Sequence, residues 1–493
     1  MLYESTRGKA ETVNAARAVV IGIAGDGGLF VPQNIPKADF SIESLIGLDY
    51  QETARKVMRP FFPDFEEENF SAAVRRAYSG RFENDAPAVI RHAGGLEILE
   101  LFHGPTLAFK DMALSFLPEL MRLSLDSEGA SGKIAVITAT SGDTGKAALE
   151  GFRDREGISV TVFYPRDGVS EIQRLQMATD TGTGSFVCAV EGNFDDTQNG
   201  VKAIFNDREF SDKLRENGYI LSSANSINIG RLVPQVAYYF YGYARLASQG
   251  RIKSGDRINI TVPTGNFGNI LAAYYAKQMG LPVDRLICAS NINNVLYDFF
   301  KSGSYDKNRP LHLTTSPSMD ILVSSNLERL LYEASGRNPE VTAGLMSALA
   351  EKGAYSVPDE MRENLKDFYG VYADESDVQS EIKAFFQESG YVLDTHTAVA
   401  VFAAKKYKKE TGDGGVNLVV STASPFKFGE AVCKALGFDT AGLNVFEISE
   451  LLSEKTGLAV PENLRGLKNA EIRFRRTCPK DGMKKAFADF LGL

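Results

Sequence analysis

The feature that most constrains this chain is a repeated order of three sequence types. A short run rich in β-branched residues is followed by a turn rich in glycine or serine, and then by an amphipathic segment rich in alanine; the clearest examples are 134–152, 258–280 and 417–437. Such alternation predicts α/β structure with mostly parallel open sheets and helices on both faces, whose ligands bind beyond the carboxyl ends of the strands. We therefore expect the functional residues in the loops that follow strands.

Departures from this alternation divide the chain, whose 493 residues allow roughly two or three domains. The strand-loop-helix units predict a core of two domains, while the remaining stretches are turn-rich, charged or weakly patterned. The expected parts are an amino-terminal domain (1–95), the core (96–325 and 389–440, with a smaller subdomain at about 134–245), a helical insertion (326–388) and a carboxy-terminal segment (441–493).

The composition excludes several classes of function. The chain has 54 basic and 63 acidic residues and a net charge of −9, which disfavours a general electrostatic grip on nucleic acid or on an anionic membrane. Its four histidines and four scattered cysteines form no metal-ligand or disulfide pattern. The apolar run nearest the start, AVVIGIAG, is far shorter than the about 20 residues that cross a bilayer. We expect a cytoplasmic protein with reduced thiols and no metal.

One lysine lies among apolar residues directly after a predicted strand, in the segment LELFHGPTLAFKDMALSFL. Burial disfavours an ammonium and lowers its pKa, and a lysine needs a low pKa to attack a carbonyl and form a Schiff base. Lys110 is therefore a candidate covalent anchor. In the alternative interpretation, Lys110 begins a helix and extends its amine to solvent.

Two loops between a strand and a helix have the composition of anion-binding sites. In PTGNFGN, backbone N–H groups can converge on a phosphate at a helix amino terminus, and Gly265 and Gly268 permit close backbone approach. The loop TSGDTGK departs from the nucleotide-hydrolase pattern and offers the hydroxyls of Ser141 and Thr144 to a carboxylate. A plain glycine turn for the first loop and helix capping for the second remain open.

A single cofactor with its substrate accounts for the lysine, both loops and a further polar turn, STAS, which begins at Ser421. Pyridoxal phosphate has an aldehyde for Lys110, a phosphate for the glycine-rich loop and a ring nitrogen that the hydroxyl of Thr422 can face. An amino-acid substrate brings the carboxylate. The residues therefore predict a pyridoxal-phosphate enzyme that acts on an amino acid.

Several blocks of the sequence resemble those of a known family. The pattern E-x-x-x-x-x-T-x-A-F-K-D-M-A, from Glu100 to Ala113, resembles the lysine signature of fold-type-II pyridoxal enzymes of the tryptophan-synthase-β and serine/threonine dehydratase type. The blocks DGGLFVP, HGPTLAFKD, SGDTG, NSINIGR, GNFGN and STASPFKF resemble, in order, those of the threonine synthases within that group. The resemblance implies a lyase that converts O-phospho-L-homoserine and water to L-threonine and phosphate, the last step of threonine biosynthesis.

The same resemblance implies roles for individual residues. Lys110 would hold the cofactor as an internal aldimine and serve as the base for proton transfer, Phe109 would help wall the pocket, and Thr422 would face the pyridine nitrogen. Asp143 stands where many relatives have an asparagine that serves the cofactor's 3′-oxygen, and an ionised aspartate cannot donate a hydrogen bond. The residues that would bind the cofactor phosphate are Gly265, Asn266, Phe267, Gly268 and Asn269.

The substrate of that family adds a second phosphate, for which Arg231 and Lys427 are the candidates. A guanidinium binds phosphate through paired N–H donors, and an ammonium acts as a point charge. A structural ion pair for Arg231 and a solvent-facing position for Lys427 remain open from the residues alone. The full set of candidates for substrate binding is Ser141, Gly142, Asp143, Thr144, Asn225, Arg231 and Lys427.

Two other functions remain compatible with the sequence. A phospho-lyase or a serine/threonine dehydratase of the same fold would release ammonia and a 2-oxo acid. A catalytically silent amino-acid sensor would keep the pocket, although the intact Lys110 and GNFGN loop argue against it. Both a monomer and a homodimer are compatible, and His396, where a helix is expected to begin, is predicted to cap or pack rather than to ligate a metal.

Overall fold

Two mostly parallel sheets form the body of the protein, and the computed structural model describes residues 1–129 and 132–493. The amino-terminal elements are β1 (Leu2–Ser5), β2 (Val13–Asn14), α1 (Ala15–Ile21), β3 (Phe30–Pro32), α2 (Tyr50–Met58) and α3 (Glu67–Tyr78). The next are β4 (Val89–Ala93), β5 (Leu96–Glu100), α4 (Lys110–Leu114), α5 (Leu117–Glu128), β6 (Lys133–Ala139), α6 (Asp143–Phe152), β7 (Ile158–Pro165), α7 (Glu171–Ala178), β8 (Ser185–Glu191), α8 (Phe194–Asn206), α9 (Arg208–Glu216) and β9 (Tyr219–Ser223).

The second half of the chain continues the alternation of strands and helices. Its first elements are α10 (Ile229–Ser248), β10 (Ile258–Pro263), α11 (Gly268–Met279), β11 (Val283–Ser290), α12 (Val295–Ser302), β12 (Ser304–Asp306), α13 (Leu327–Ala334), α14 (Pro339–Lys352), β13 (Ala354–Ser356) and α15 (Asp359–Asn364). The last are β14 (Phe368–Tyr372), α16 (Glu375–Ser389), α17 (Thr395–Thr411), β15 (Asn417–Ser421), α18 (Gly429–Leu436), α19 (Val445–Thr456), α20 (Glu462–Arg465), β16 (Arg476–Pro479) and α21 (Met483–Leu491).

The larger sheet has six strands in the order β14-β11-β10-β15-β5-β4, and only β4 runs antiparallel to its neighbour. Its two faces pack into different apolar cores: Ile98 and Val419 belong to one core, and Leu99 and Leu418 belong to the other. Strands buried on both faces read as nearly continuous apolar runs. The predicted α/β class with helices on both faces of parallel sheets is confirmed.

The smaller sheet has five parallel strands in the order β16-β8-β7-β6-β9. Its edge strand β16 comes from the carboxy-terminal segment, which the sequence analysis placed outside the core. In β16, Cys478 lies opposite Val190 of β8 and is buried, while the flanking residues are exposed. A strand of four residues with one buried side chain has no alternation of apolar and polar residues. The pairing of β16 with β8 therefore cannot be predicted from the sequence pattern.

The interval 326–388, expected to be a helical insertion, contains strands as well as helices. β14 pairs in parallel with β11 at the edge of the larger sheet, and β13 pairs with β12. The expectation of a purely helical insertion is therefore wrong for this interval. Gly370 in the middle of β14 allows the backbone to pack on Tyr297, where an added Cβ would lie 3.0 Å from its Cα. Edge strands that are half-buried and contain glycine have a weak sequence signal.

The parallel strands bring distant loops together at their carboxyl ends. The loop before α4 joins the turn after β15 through a bridge between Ala108 and Ala423, and Phe109 N donates to the Thr422 carbonyl at 2.9 Å. These contacts place Lys110 beside Thr422 although the two residues are far apart in sequence. Within the part of the chain that the structure describes, no helix combines the length and apolarity needed to span a bilayer.

Candidate active site

A cavity of about 840 Å³ lies at the carboxyl ends of strands from both sheets. Loops that follow β6, β9, β10 and β15 line it, and so do residues of the amino-terminal part such as Arg17 and Ala24. Twelve of the residues singled out from the sequence line this cavity: Phe109, Lys110, Ser141, Thr144, Asn225, Arg231, Gly265, Asn266, Phe267, Gly268, Asn269 and Thr422. Gly142, Asp143 and Lys427 are not among its lining residues.

Lys110 is the first residue of α4 and lines the cavity. The turn before it is held by Asp111, whose carboxylate accepts hydrogen bonds from Thr106 N at 2.8 Å and Thr106 Oγ1 at 2.7 Å. The Lys110 side chain is 12% exposed, and its Nζ lies 5.4 Å from the centre of the Phe109 ring. Lys110 therefore does begin a helix, but its amine does not extend to open solvent.

The pKa of Lys110 is lowered, chiefly because burial disfavours its charged form. The cations of Arg231 and Lys427 lower it further, while the carboxylate of Asp143, whose Oδ2 lies 3.5 Å from Lys110 Nζ, opposes the shift. The result is an amine that loses its proton more easily than an ordinary lysine does. Such an amine can act as a nucleophile toward a carbonyl and as a base.

Asp143 begins α6 and is enclosed by donors. Its Oδ1 accepts from Lys427 Nζ at 2.7 Å and from Gln173 Nε2 at 2.9 Å, and its Oδ2 accepts from Ser318 Oγ at 3.4 Å. Burial would raise the pKa of this carboxyl, but Lys427 and then Lys110 hold it well below its usual range. Asp143 is therefore an ionised carboxylate behind the cavity wall.

Lys427 is fully buried and its amine is occupied. Besides Asp143, its Nζ donates to the Thr106 carbonyl at 2.9 Å and to Gln176 Oε1 at 3.4 Å. The solvent-facing position that the sequence left open is wrong, because the side chain is fully buried, whereas a contact between Lys427 and the substrate phosphate stays a prediction. The sequence did not reveal the partners because they come from three separate segments of the chain.

The glycine-rich loop leads into an uncapped helix. Phe267 occupies the N-cap position of α11 in the left-handed region, with φ of 63°, and no side chain of residues 1–129 or 132–493 caps the first turn. These backbone N–H groups are free donors at the cavity. A Cβ at Gly265 would lie 2.4 Å from the Ser318 carbonyl oxygen, so this glycine is required by the chain itself, whereas at Gly268 no protein atom lies closer than 3.6 Å.

Asn269, which lines the cavity at the end of this loop, has a buried side-chain N–H donor, Nδ2. Its Oδ1 accepts from the hydroxyl of Tyr238 at 2.6 Å and from that of Tyr239, and its Nδ2 is buried with no hydrogen-bond partner among the described residues. Two hydroxyl donors on one oxygen fix the orientation of the amide. A buried donor left unpaired costs about 1–3 kcal/mol, which a bound acceptor such as a phosphate removes.

Arg231 is a buried cation with no carboxylate partner among the described residues. The residue is 3% exposed, its NH1 donates to the Ala224 carbonyl at 2.8 Å, and its Nε has no partner among the described residues. Burial lowers its pKa to about 10. The alternative interpretation from the sequence was a structural ion pair for Arg231. The contacts of Arg231 form no such pair among the described residues. A guanidinium buried without a carboxylate is costly, and an anionic ligand in the cavity would compensate it.

The conformation of the loop before α6 is held by hydrogen bonds to Thr140. Among the described residues, Ser141 and Thr144, which are expected to bind the substrate, do not hold it. Thr140 Oγ1 accepts from the N–H groups of Gly142 and Gly145, each at 2.9 Å. Ser141 and Thr144 line the cavity, and the N-cap residue Gly142 makes no side-chain capping bond. Within the described part of the chain neither hydroxyl caps the helix, which leaves Ser141 and Thr144 as candidates for ligand binding.

Asn225 joins the ends of two neighbouring strands in the smaller sheet. Its Nδ2 donates to the Ala139 carbonyl at 3.0 Å, and its Oδ1 accepts from Thr138 Oγ1 at 3.1 Å. Most of its hydrogen-bonding capacity is used within the protein, although the residue also lines the cavity.

His396 is a cavity residue that the sequence analysis assigned to capping or packing. Its side chain is buried, its Nδ1 lies 3.1 Å from Asp394 Oδ1, and its Nε2 accepts from Ser318 N at 3.2 Å. The ring therefore holds the Ser318 segment against the cavity. A single histidine with no second histidine at a regular spacing provides no sequence signal for this structural role.

Comparisons with known proteins agree with these features. Three family models match: "Threonine synthase N terminus" over residues 2–78, "Pyridoxal-phosphate dependent enzyme" over 98–423, and "Threonine synthase, C-terminal" over 397–485. A threonine synthase of Pseudomonas aeruginosa is 42% identical, with 88% of this chain and 90% of the relative covered. A threonine synthase of Saccharomyces cerevisiae is 35% identical, with 98% of each covered.

Solved structures of similar proteins have the same fold. A threonine synthase from Brucella melitensis with bound pyridoxal phosphate is 36% identical, has a TM-score of 0.86, and is matched over 99% of each chain. A yeast threonine synthase is 33% identical with a TM-score of 0.86, and covers 100% of this chain and 99% of its own.

Proposed function

The chain belongs to the threonine synthase family of pyridoxal-phosphate-dependent enzymes, and on that premise we propose how its own residues convert O-phospho-L-homoserine and water to L-threonine and phosphate. The observation that carries the proposal is the convergence of three groups on one cavity: the amine of Lys110, the uncapped start of α11 and the buried guanidinium of Arg231. An amine of lowered pKa and two separate sites for anions are what this reaction requires.

Pyridoxal phosphate fits the residues of the cavity. Its phosphate would be held by the N–H groups and side chains of Gly265 to Asn269, which include the unpaired Nδ2 of Asn269. Lys110 would attach its aldehyde, Phe109 would wall the pocket, and the hydroxyl of Thr422 would face its ring nitrogen. When bound, the cofactor supplies a sink for the electrons of a carbanion at the substrate's α-carbon.

Lys110 would carry the proton transfers. Its amine, at the cavity, would take the proton from the substrate's α-carbon. The same amine would move the protons at the β- and γ-carbons, since one base near the reacting atoms can serve successive steps. Burial and the neighbouring cations lower the pKa of this amine, so that it gives up its proton more easily than an ordinary lysine and can act as a base.

The substrate would be held at its two anionic ends. We assign the substrate phosphate to Arg231, because its Nε is buried without a partner and no carboxylate among the described residues pairs with it. The α-carboxylate is assigned to Ser141 and Thr144 at the start of α6. Asn225 contributes a polar wall. Gly142, Asp143 and Lys427 support the site from behind this lining rather than bind the substrate.

The test of this function is a product assay on O-phospho-L-homoserine. The purified chain with pyridoxal phosphate should release threonine and phosphate in equal amounts, and a titration with the substrate should change the cofactor's visible spectrum. Ammonia and a 2-oxo acid as the main products would instead identify a phospho-lyase or dehydratase. Binding without turnover would identify a silent sensor.

We further propose that the enzyme acts in the cytoplasm on small molecules alone. All four cysteines are free and buried, and the substrate and product are small amino acids. Fractionation of cells that express the tagged chain tests the location, and light scattering of the holoenzyme separates a monomer from a homodimer.

Changing Asn269 to aspartate is expected to weaken retention of the cofactor about 10- to 100-fold, the effect of losing one buried donor. The side chain keeps its shape and still accepts from Tyr238 and Tyr239, but a negative oxygen replaces the donor that faces the phosphate. Equilibrium dialysis of pyridoxal phosphate measures the change. Asn338→Asp, the same replacement at the exposed N-cap of α14, should retain the cofactor normally. Equal retention in both variants would contradict the assignment of Asn269.

A further inference from the structure

A buried ion pair lies directly behind the reactive lysine. Lys427 Nζ and Asp143 Oδ1 are 2.7 Å apart, and their side chains are 0% and 4% exposed. The other oxygen of Asp143 is 3.5 Å from Lys110 Nζ. Asp143 is therefore shared between Lys110, which lines the cavity, and Lys427, which does not.

Asp143 has two opposing consequences for Lys110. A carboxylate at this distance positions the amine, but an isolated carboxylate in a buried site would also hold a proton on that amine and prevent it from reacting. The charged groups that act on Lys110 are the carboxylate of Asp143, which raises its pKa, and the cations of Arg231 and Lys427, which lower it. The charges that face Asp143 are the two lysines, with neutral donors from Gln173 and Ser318.

The remaining contacts of Lys427 keep it in place for this purpose. Besides the contact with Asp143, its Nζ donates hydrogen bonds to the Thr106 carbonyl and to Gln176 Oε1, and these bonds fix the position of the ammonium. Thr106 also holds Asp111, the residue that follows Lys110. Lys427 is thus connected to the reactive lysine both through Asp143 and through the turn that begins α4.

We propose that Lys427 is a positioning residue that neutralises Asp143, so that Asp143 can orient the amine of Lys110 without keeping it protonated. Together, Asp143 and Lys427 have no net charge behind the reactive amine, as a neutral side chain would. This inference rests on the proposed role of Lys110 in attaching the cofactor and names the residues that set its reactivity.

The experiment measures how fast the cofactor-free full chain attaches added pyridoxal phosphate, followed by the visible absorption band across a range of pH. In Lys427→Met, Asp143 acts on Lys110 without its counter-charge. The pH midpoint of the attachment rate is expected to move upward by about 1 to 3 units, the range for a carboxylate close to a titrating group. In the double variant Asp143→Asn/Lys427→Met, the midpoint should return to the wild-type value or below it.

Lys146→Met is the matched control. Lys146 is also a buried lysine in ion pairs, with Glu150 at 3.0 Å and Asp180 at 3.4 Å, but it does not line the cavity. Its replacement should lower the melting temperature without moving the midpoint. An unchanged midpoint in Lys427→Met, or an equal shift in Lys146→Met, would overturn the proposal.

Two further measurements keep the result interpretable. If Lys427→Met does not fold, Lys427→Gln retains a donor toward Asp143 while removing the charge, and the same upward shift is expected. If Lys110→Ala attaches the cofactor as the wild type does, the proposed role of Lys110 fails and this inference fails with it. A normal Lys110 dependence with an unmoved midpoint overturns the role of Lys427 alone.

Discussion

Replacing Lys110 with alanine is expected to lower threonine formation at least about 10³-fold and to remove the visible band of the attached cofactor. General base catalysis alone contributes about 10²- to 10⁴-fold, and the variant also loses covalent attachment. The amine is placed for both tasks because it is buried at the cavity with a lowered pKa. Assays of threonine and phosphate, together with an absorption spectrum, measure both effects.

The matched variant is Lys110→Arg, which keeps a long cationic side chain at the start of α4 but cannot attach an aldehyde in the same way. It should be as inactive as the alanine variant and should lack the same visible band, while its melting temperature stays closer to that of the wild type. Retained activity in either variant would show that another group supplies the base, and the assignment of Lys110 would then be wrong.

Replacing Arg231 with methionine is expected to lower kcat/KM for O-phospho-L-homoserine roughly 10²- to 10³-fold, which corresponds to about 3 to 4 kcal/mol for a buried charge contact. Methionine has a similar length but no N–H donors for the substrate phosphate. The bound cofactor should remain, because its phosphate is assigned to the start of α11. Steady-state kinetics and the cofactor content of the purified variant test these expectations separately.

Arg329→Met is the control for a buried arginine. Arg329 donates to the Phe30 carbonyl at 3.0 Å, to the Ile227 carbonyl at 2.6 Å and to Asn326, so its contacts are all within the protein. Burial lowers its pKa to about 10, as for Arg231. We expect a lower melting temperature and little change in KM. A similar loss of kcat/KM in both variants would point to general destabilisation rather than to an anion site at Arg231.

Much of the site was predictable because its signals are local. The loops around Lys110 and Gly265 to Asn269 have a composition typical of a turn between a strand and a helix. Parallel strands bring such turns together at the carboxyl edge of the sheet. Twelve of the residues chosen in this way line one cavity. The strand β14 and the edge strand β16 were missed, because each is short, half-buried or exposed, and has no apolar alternation.

The sequence by itself determined the alternation of strands and helices and the class of the fold, and it singled out the lysine and the glycine-rich loop as candidates, because each signal depends on residues that are neighbours in the chain. Only the tertiary structure decided that Lys427 is paired with Asp143 behind the cavity and that Arg231 is buried without a carboxylate. The physical reason is that desolvation and Coulomb interactions depend on atoms brought together from distant segments. The same basic side chain becomes a ligand or an internal counter-ion according to those neighbours.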